Sequence, residues 1–294
     1  MTHICMHHEG ILIRPPSEAH SIILQITVGC SHNKCTFCGA YKDVRFRIKS
    51  KREIERDIAF ASVHCKRHQK VFLADGDALI LPQNKLESLF ITIKQRLPRV
   101  RRISLYANGR AIRSKTDRDL GRLKQLGLDR VYLGIETGDD AILSAICKAE
   151  TFASLATAGK RVVNAGIFLS TTVLLGIAGT KGSISHARQT AKLLNTIEPN
   201  QIAALTLMPL ANTQLGQEIS RGIADLPGPQ TILKELRELV LHLDCDRVQF
   251  MANHASNYLP ISGRLQRDKE AILSRIDNAI ARGIELKPDR MRTL

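Results

Sequence analysis

Short apolar runs alternate along this chain with stretches of helical periodicity. Residues 22–28, 71–74, 102–106, 130–135, 167–175 and 201–208 are brief, mostly apolar runs that read as strands. Between them, residues 49–68, 85–97, 117–126, 151–164 and 183–196 read as helices. Ile54, Ile58 and Ala61 mark one face of the first, and Gly159 mildly interrupts the fourth. Six strands alternating with helices, spaced roughly 30 to 35 residues apart, are the pattern of successive βα units and a parallel sheet. An open doubly wound sheet and a curled barrel both satisfy it. Residues 1–20 form a lead-in held extended by Arg14-Pro15-Pro16. Pro227-Gly228-Pro229 marks a second boundary. Beyond it come a helix over 230–243, a polar loop over 253–260 and an amphipathic helix over 267–282, with Ile272, Ile276 and Ile280 on its apolar face. The expected organisation is a lead-in (1–20), an α/β domain (21–225) and a helical C-terminal extension (226–294) packed on it.

Composition narrows the class without naming an activity. Hydrophobic residues at 44% and charged residues at 24% are globular values. No run of eighteen apolar residues occurs, so no membrane span is expected. The start lacks the basic region and apolar core of a signal peptide, which points to the cytoplasm. Seven cysteines, an odd number, fit a reducing compartment better than a disulfide framework. The formal charge is +15, and residues 94–130 hold twelve basic and three acidic residues. Such a patch concentrates an anionic partner, whether nucleic acid, phosphorylated metabolite or acidic lipid, or is simply the solvated surface of a basic protein. With no Trp and 4% aromatics, a single-strand stacking platform is not evident.

The most specific chemical signal is Cys30-Ser-His-Asn-Lys-Cys35-Thr-Phe-Cys38, directly after the first apolar run. Thiolates suit iron-sulfur clusters or zinc, and three of them in nine residues can wrap one cluster. A structural zinc site closes with a fourth ligand, commonly from a second Cys or His pair, and no such pair is visible. Cys5, Cys65, Cys147 and Cys245 stand apart. Three ligands without a fourth suggest a 4Fe-4S cluster with one open iron; zinc completed by His32 or a distant Cys is the alternative. His3, His7 and His8 are a further metal-ligand candidate or a mobile terminus.

The Cys loop after a first strand, with Phe37 before its last Cys, resembles the radical S-adenosylmethionine (radical SAM) superfamily. RPPSEA at 14–19, DGDAL at 75–79 and NHASNYLP at 253–260 are similar to a compact branch of it. The spacing departs by one residue: C-x4-C-x2-C stands where C-x3-C-x2-C is commonest. The resemblance implies a partial (β/α)6 barrel, a 4Fe-4S cluster on Cys30, Cys35 and Cys38, and S-adenosylmethionine as cofactor. It implies that Gly76 and Asp77 replace a Gly-Gly-Glu element contacting the cofactor's amino group, with one Gly and a shorter carboxylate. Gly134-Ile-Glu136-Thr137-Gly138 is similar to the element whose Glu binds ribose, and Gly176-Ile-Ala-Gly179 to the element beside adenine. Leu207-Met208-Pro209-Leu210 is similar to the sixth-strand end. Phe37 is expected against the adenine and Asn108 near the cofactor carboxylate.

On the substrate side the candidates are Arg14, Glu18, Tyr106, Asn253, His254, Asn257 and Tyr258. The chemistry implied is reductive cleavage of S-adenosylmethionine to methionine and a 5′-deoxyadenosyl radical. That radical takes hydrogen from a small or medium anionic substrate. The electron comes from a donor such as flavodoxin or ferredoxin. Two rivals stand beside this. One is a tRNA- or RNA-modifying radical enzyme, raised by the charge although no RNA-binding module is recognisable. The other is a non-enzymatic iron-sulfur or zinc protein with a basic partner-binding surface.

Overall fold

Strands buried on both faces need near-continuous aliphatic runs, and those runs are where the computed structural model places most of them. It describes residues 6–282 and 286–293; His3 and Cys5 lie outside these. The chain divides into two compact units.

The first comprises Met1–Asn33, Ala40–Leu133 and Asn164–Phe168. Its elements are β1 (Ile22–Gln25), β2 (Thr27–Val28), β3 (Arg47–Ile48), α1 (Lys51–His64), β4 (Lys70–Ala74), α2 (Gln83–Arg96), β5 (Arg102–Tyr106), α3 (Gly109–Arg113), α4 (Asp117–Gln125) and the start of β6 (Leu128–Glu136). Strands β1, β4, β5 and β6 are parallel neighbours in that order. The expected strand over 22–28 is two pieces. At Ile26 the chain changes partner: its N–H donates to the Ala74 carbonyl at 2.6 Å while its own carbonyl accepts from Lys49 at 2.9 Å. Thereafter β2 pairs antiparallel with β3.

Capping boxes begin two helices. Ser50 and Glu53 bond reciprocally at α1, and Thr116 and Asp119 do so at α4, so backbone donors without helical partners are satisfied locally. On one face of the strands Phe72 meets Tyr106 edge to face at 5.2 Å, and Tyr106 lies 5.7 Å from Tyr132. Leu12 of the lead-in packs onto the same aromatic cluster.

The second unit comprises Lys34–Gly39, Gly134–Val163 and Leu169–Leu294. After β6 come α5 (Asp140–Ala145), α6 (Phe152–Asn164), β7 (Phe168–Leu175), α7 (Gly179–Ile197), β8 (Gln201–Thr206), α8 (Gln214–Ser220), α9 (Pro229–His242), β9 (Gln249–Ala252), β10 (Ile261–Arg264) and α10 (Lys269–Arg282). Strands β7, β8 and β9 are parallel and β10 is antiparallel to β9. The fold class is thus α/β with mostly parallel strands, as expected. The stretch beyond 225 departs from the helical expectation by adding β9 and β10. Each is four residues, and of β9 only Phe250 and Ala252 are fully buried, so no apolar run announces it. Residues 253–260, read as a polar loop, connect these two strands. Among the described residues no helix is long and apolar enough to cross a membrane.

Gly159 does not break α6. A Cβ there would lie 2.6 Å from Cγ2 of the buried Ile197, so the glycine is a contact point rather than a weakness. Intrinsic propensity favours Gly159→Ala by about 1 kcal/mol, whereas overpacking a filled core costs about 1–3 kcal/mol. The substitution is expected to lower the melting temperature by a few degrees in thermal denaturation followed by circular dichroism; a rise would mean the contact is slack.

Candidate cofactor site

The Cys stretch starts where β2 ends. Gly29, at φ +81, lets the chain turn, and its N–H donates to Asp75 Oδ2 at 3.1 Å. Cys30, Cys35 and Cys38 are all partly exposed and none is in a disulfide. In the first unit the turn after β4 runs directly against Cys30. A Cβ on Gly76 would sit 3.2 Å from the Cys30 Cβ and 3.1 Å from Tyr41, and the Gly76 N–H donates to the Gly29 carbonyl at 3.2 Å. Only a residue without a side chain fits there unstrained.

Asp77 follows and is fully buried. Its Oδ2 accepts from Asn108 Nδ2 at 2.7 Å and from the Ser31 hydroxyl, and Asn108 Nδ2 also reaches Ser31 Oγ at 3.1 Å. The Asn108 Oδ1 caps α3 by accepting from Ala111 N–H at 2.8 Å, which fixes the amide's orientation. The other carboxylate oxygen, Oδ1, is buried and finds no hydrogen-bond partner among the described residues, and the same holds for Oδ1 of Asp75. Burial pushes the Asp77 carboxyl up to about 6, against bonds from Ser31 and Asn108 and the positive charge of Arg110. A buried acceptor without a donor is costly and rare. An unpartnered carboxylate oxygen at this turn fits a group that brings an ammonium to it.

In the second unit Glu136 ends β6 at φ +61, a left-handed backbone uncommon for a non-glycine residue and frequent at binding sites. Its Oε1 accepts from Lys148 Nζ at 2.7 Å. A Cβ on Gly134 would crowd this pair, lying 3.3 Å from Lys148 Nζ, and one on Gly138 would run into the backbone at Gln189. The two glycines of the Gly-Ile-Glu-Thr-Gly element are thus explained by close approach. Burial alone would lower the Lys148 ammonium, but the Glu136 carboxylate, with Cys35 and Cys38 adding to it, more than offsets this, so Lys148 is held charged. Phe37 packs against Ile146, Leu174, Ile177 and Leu207. Thr36 is tied by its N–H to the Ile146 carbonyl at 3.0 Å and by its own carbonyl to Leu215 N–H at 3.0 Å.

Gly176 turns the chain after β7 at φ +86, and its N–H donates to Glu235 Oε1 at 2.9 Å. Glu235, on α9, is fully buried; its carboxylate also takes the Ser183 hydroxyl at 2.5 Å and His186 Nδ1 at 2.8 Å. The extension beyond 225 therefore grips the turn that carries Gly176.

The substrate-side candidates divide. Glu18 is fully buried, its oxygens engaged by the Tyr132 hydroxyl at 2.7 Å and the Ser21 hydroxyl at 2.5 Å. Burial pushes the Tyr132 phenol up to about 12. Tyr106 shares that aromatic cluster, and burial raises its phenol too. Arg14 and Asn253 are exposed. Asn257 is buried and bridges the end of β8, donating to the Ala204 carbonyl at 2.8 Å and accepting from Thr206 Oγ1 at 2.8 Å. Tyr258 donates to Asp289 at 2.9 Å under the guanidinium of Arg292, 3.8 Å from its ring centre. His254 Nδ1 accepts from the Ser256 N–H at 3.1 Å, and burial lowers its pKa, so the neutral ring carries its proton on Nε2. His7 lies with Glu9 and Glu53 in a group of metal-ligand types, but Arg47 bridges the two carboxylates there.

Sequence reasoning did not single out Lys148, Glu235 or Ser31. Lys148 has no sequence signal. Glu235 has one: it is the charged residue on a face otherwise formed by Ile232, Leu236, Leu239 and Val240. Ser31 lies inside the quoted Cys motif, and only its hydrogen bond marks it.

The family profile of the Radical SAM superfamily matches residues 24–193. No curated protein matches the chain. Among solved structures it is similar to methylornithine synthase (PylB), with 15% identity, a TM-score of 0.54, and coverage of 91% of this chain and 83% of that one. It is similar to coproporphyrinogen III oxidase (HemN) from Escherichia coli, described as a radical SAM enzyme, at 17% identity, TM-score 0.56, covering 75% and 51%. It is also similar to the radical S-adenosylmethionine methyltransferase TsrM from Kitasatospora setae with cobalamin and a 4Fe-4S cluster bound, at 15% identity, TM-score 0.55, covering 86% and 52%. At these identities the likeness is one of fold, and this chain spans about half the length of the last two. With the family profile covering more than half of the sequence, the chain belongs to the Radical SAM superfamily, enzymes of partial-barrel core that use a 4Fe-4S cluster and S-adenosylmethionine.

Proposed function

We propose that this enzyme cleaves S-adenosylmethionine reductively, using a 4Fe-4S cluster on Cys30, Cys35 and Cys38, and takes hydrogen from a small or medium anionic substrate. The observation that carries the reading is the buried, partnerless Oδ1 of Asp77. When bound, the cluster and its cofactor supply an electron and a carbon radical able to abstract hydrogen.

The chain's residues do the rest. Asp77 Oδ1 accepts from the cofactor's ammonium, and Asn108 and Ser31 fix the carboxylate by occupying its other oxygen. Gly76 keeps that turn close to Cys30. Glu136 offers acceptor oxygens to ribose hydroxyls, with Lys148 holding its orientation. Phe37 presents an apolar face, and Gly176, fixed by Glu235, lets backbone approach the adenine. Lys148 also places a positive charge beside Cys35 and Cys38, which favours their thiolate form. The chain's +15 charge, most of it away from this site, supports an anionic substrate only by raising the concentration of anions around the protein as a whole. An external one-electron donor such as flavodoxin or ferredoxin completes the cycle. As a member of an enzyme superfamily, the chain is not the non-enzymatic iron-sulfur or zinc protein considered from sequence.

Anaerobic reconstitution with iron and sulfide, followed by dithionite and S-adenosylmethionine, is expected to yield 5′-deoxyadenosine from wild type and none from Cys35→Ala. A wild-type 4Fe-4S spectrum without 5′-deoxyadenosine would refute the reaction.

Asp77→Asn keeps the shape and the bonds to Ser31 and Asn108 but removes the charge. Calorimetric titration with S-adenosylhomocysteine should show affinity weakened by tenfold or more, about 1.4 kcal/mol. The same variant should melt no lower than wild type. A carboxyl raised in the folded state contributes stability at low pH that is lost as pH rises through about 6, so the variant's advantage should grow from pH 5 to 7. Unchanged affinity would remove Asp77 from the site.

Lys148→Met should lower the cluster's reduction potential, since a nearby cation favours the electron-rich state. Redox titration by electron paramagnetic resonance reads this, and an unmoved potential would leave Lys148 as a support for Glu136 alone.

A further inference from the structure

Parallel strands send their carboxyl ends one way and their amino ends the other. In the first unit Asp77 and Asn108 follow the carboxyl ends of β4 and β5, whereas residues 65–70, 94–102 and 122–130, the helix-to-strand connections taken with the helical turns before them and the first strand residues after them, lie at the amino ends of β4, β5 and β6. These connections touch. The N–H groups of Arg101 and Arg102 donate to the Gln69 carbonyl at 2.9 and 3.3 Å, and Ile103 N–H donates to the Gly127 carbonyl at 3.0 Å.

Their charge is far from the chain's average. They hold eleven of its 43 Lys and Arg and one of its 28 Asp and Glu, leaving 32 against 27 everywhere else. Ten units of the net +15 thus come from 24 residues. Helix dipoles account for part of this, because Lys94, Arg96, Arg122 and Lys124 sit in the last turns of α2 and α4. They do not account for Lys66, Arg67, Arg99 and Arg101, which lie in the connections proper and are exposed. Among the described residues only Arg102, with Asp129 at 3.5 Å, and Arg122, with Glu87 at 3.6 Å, are ion-paired in this set. A cleft of about 280 Å³ opens at this rim, lined by His20, Arg67, His68, Gln69 and Lys70.

We infer that this cationic rim is a docking surface for the phosphate backbone of a double-helical nucleic acid. Of these cations Lys66, Arg67, Lys94, Arg96, Arg99 and Arg101 are exposed and outside any ion pair among the described residues; spread over the approaches to two neighbouring strands, they exceed what one phosphate can use and suit a repeating polyanion. An acidic membrane surface is a poorer match: apolar side chains are what anchor a protein in the headgroup layer, and none of the exposed large hydrophobic residues falls in the three connections. The same connections contain no Phe, Tyr or Trp, so bases have nothing to stack on and the backbone of a duplex is the better fit than a single strand. The surface lies about a strand's length, roughly 16 Å, from Asp77. Nucleic acid held there is anchored rather than offered to that site. This inference is therefore independent of the radical reaction.

Fluorescence anisotropy of a labelled 20-base-pair RNA duplex with the full chain tests it, beside binding to phosphatidylcholine vesicles containing phosphatidylserine. The variant Arg67→Glu/Arg99→Glu/Arg101→Glu is compared with Arg221→Glu/Lys234→Glu/Arg275→Glu, which makes the same charge change on exposed residues elsewhere. Wild type should bind the duplex with affinity falling steeply in salt. The rim variant should lose tenfold or more, with a salt slope shallower by about 2 to 3 for three phosphate contacts removed, while the control stays within about threefold because general charge steers weakly once screened. Arg67→Ala/Arg99→Ala/Arg101→Ala should lie between wild type and the Glu variant and serves if that variant does not fold. Formation of 5′-deoxyadenosine should be unchanged throughout. Equal losses in rim and control variants, no duplex binding by wild type, or rim-dependent binding to vesicles but not to duplex would each overturn the proposal.

Discussion

Taking a carboxylate out of water costs several kcal/mol unless donors replace the lost hydration, and the turns at the strand ends are built around that cost. Asp75 and Asp77 after β4, Glu136 ending β6, and Glu235 against the turn after β7 are all buried. Each recruits its surroundings. Asp75 Oδ2 takes Gln25 Nε2 and the Gly29 N–H, which sets the start of the Cys stretch. Glu235 takes three donors and so ties α9 to the Gly176 turn and to α7. Glu136 takes the Lys148 ammonium, which also lies within the electrostatic reach of Cys35 and Cys38. Asp75 and Asp77 each combine burial, a raised carboxyl and an oxygen that finds no donor among the described residues, and of the two it is Asp77, raised to about 6, that bonds to Ser31 inside the Cys stretch. A structural carboxylate ends up like Glu235, matched from within.

What could be read from the sequence follows what depends on local pattern. The strands at 71–74, 102–106 and 201–208 were legible as short apolar-rich runs between stretches of helical periodicity, and the observed elements agree within two residues. The Cys stretch and the Gly-Ile-Glu-Thr-Gly element were legible because their residue types are specific to a chemistry. The change of partner at Ile26 was not, since Ile26 itself is as apolar as its neighbours and only its two hydrogen bonds reveal the turn. Neither were β9 and β10, whose four-residue lengths leave no room for a pattern. Gly159 shows the converse. A helix-breaking residue by propensity is a packing necessity once Ile197 is beside it.

The tail residues illustrate why polar clusters mislead. Asn253, His254, Asn257 and Tyr258 look alike in sequence, four polar groups in six residues. In the fold Asn257 closes the end of β8, Tyr258 is fastened to Asp289 and Arg292, His254 accepts from its own loop, and Asn253 faces outward. Sequence cannot say which polar side chain will be consumed by backbone groups, because those groups come from strands fifty residues away. Arg292 shows how far that consumption reaches. It stacks on Tyr258 and donates to the Ser256 carbonyl at 2.6 Å, so a cation near the C-terminus is used up as a clamp.

That distinction between consumed and unconsumed charge also separates the two ends of the first unit. At the carboxyl ends of β4 and β5 the buried Asp77 and the half-buried Asn108 bond to each other and to the half-buried Ser31, so each group's orientation is fixed. At the amino ends Arg67, Arg99 and Arg101 are exposed and not ion-paired, so their field extends into solvent with a reach of about 8–10 Å at physiological salt. Fixed, desolvated groups select one ligand by geometry. Exposed like charges select a class of ligand by sign and spacing. A parallel sheet gives a chain both kinds of surface at once, because successive βα units repeat their turns at one end and their connections at the other.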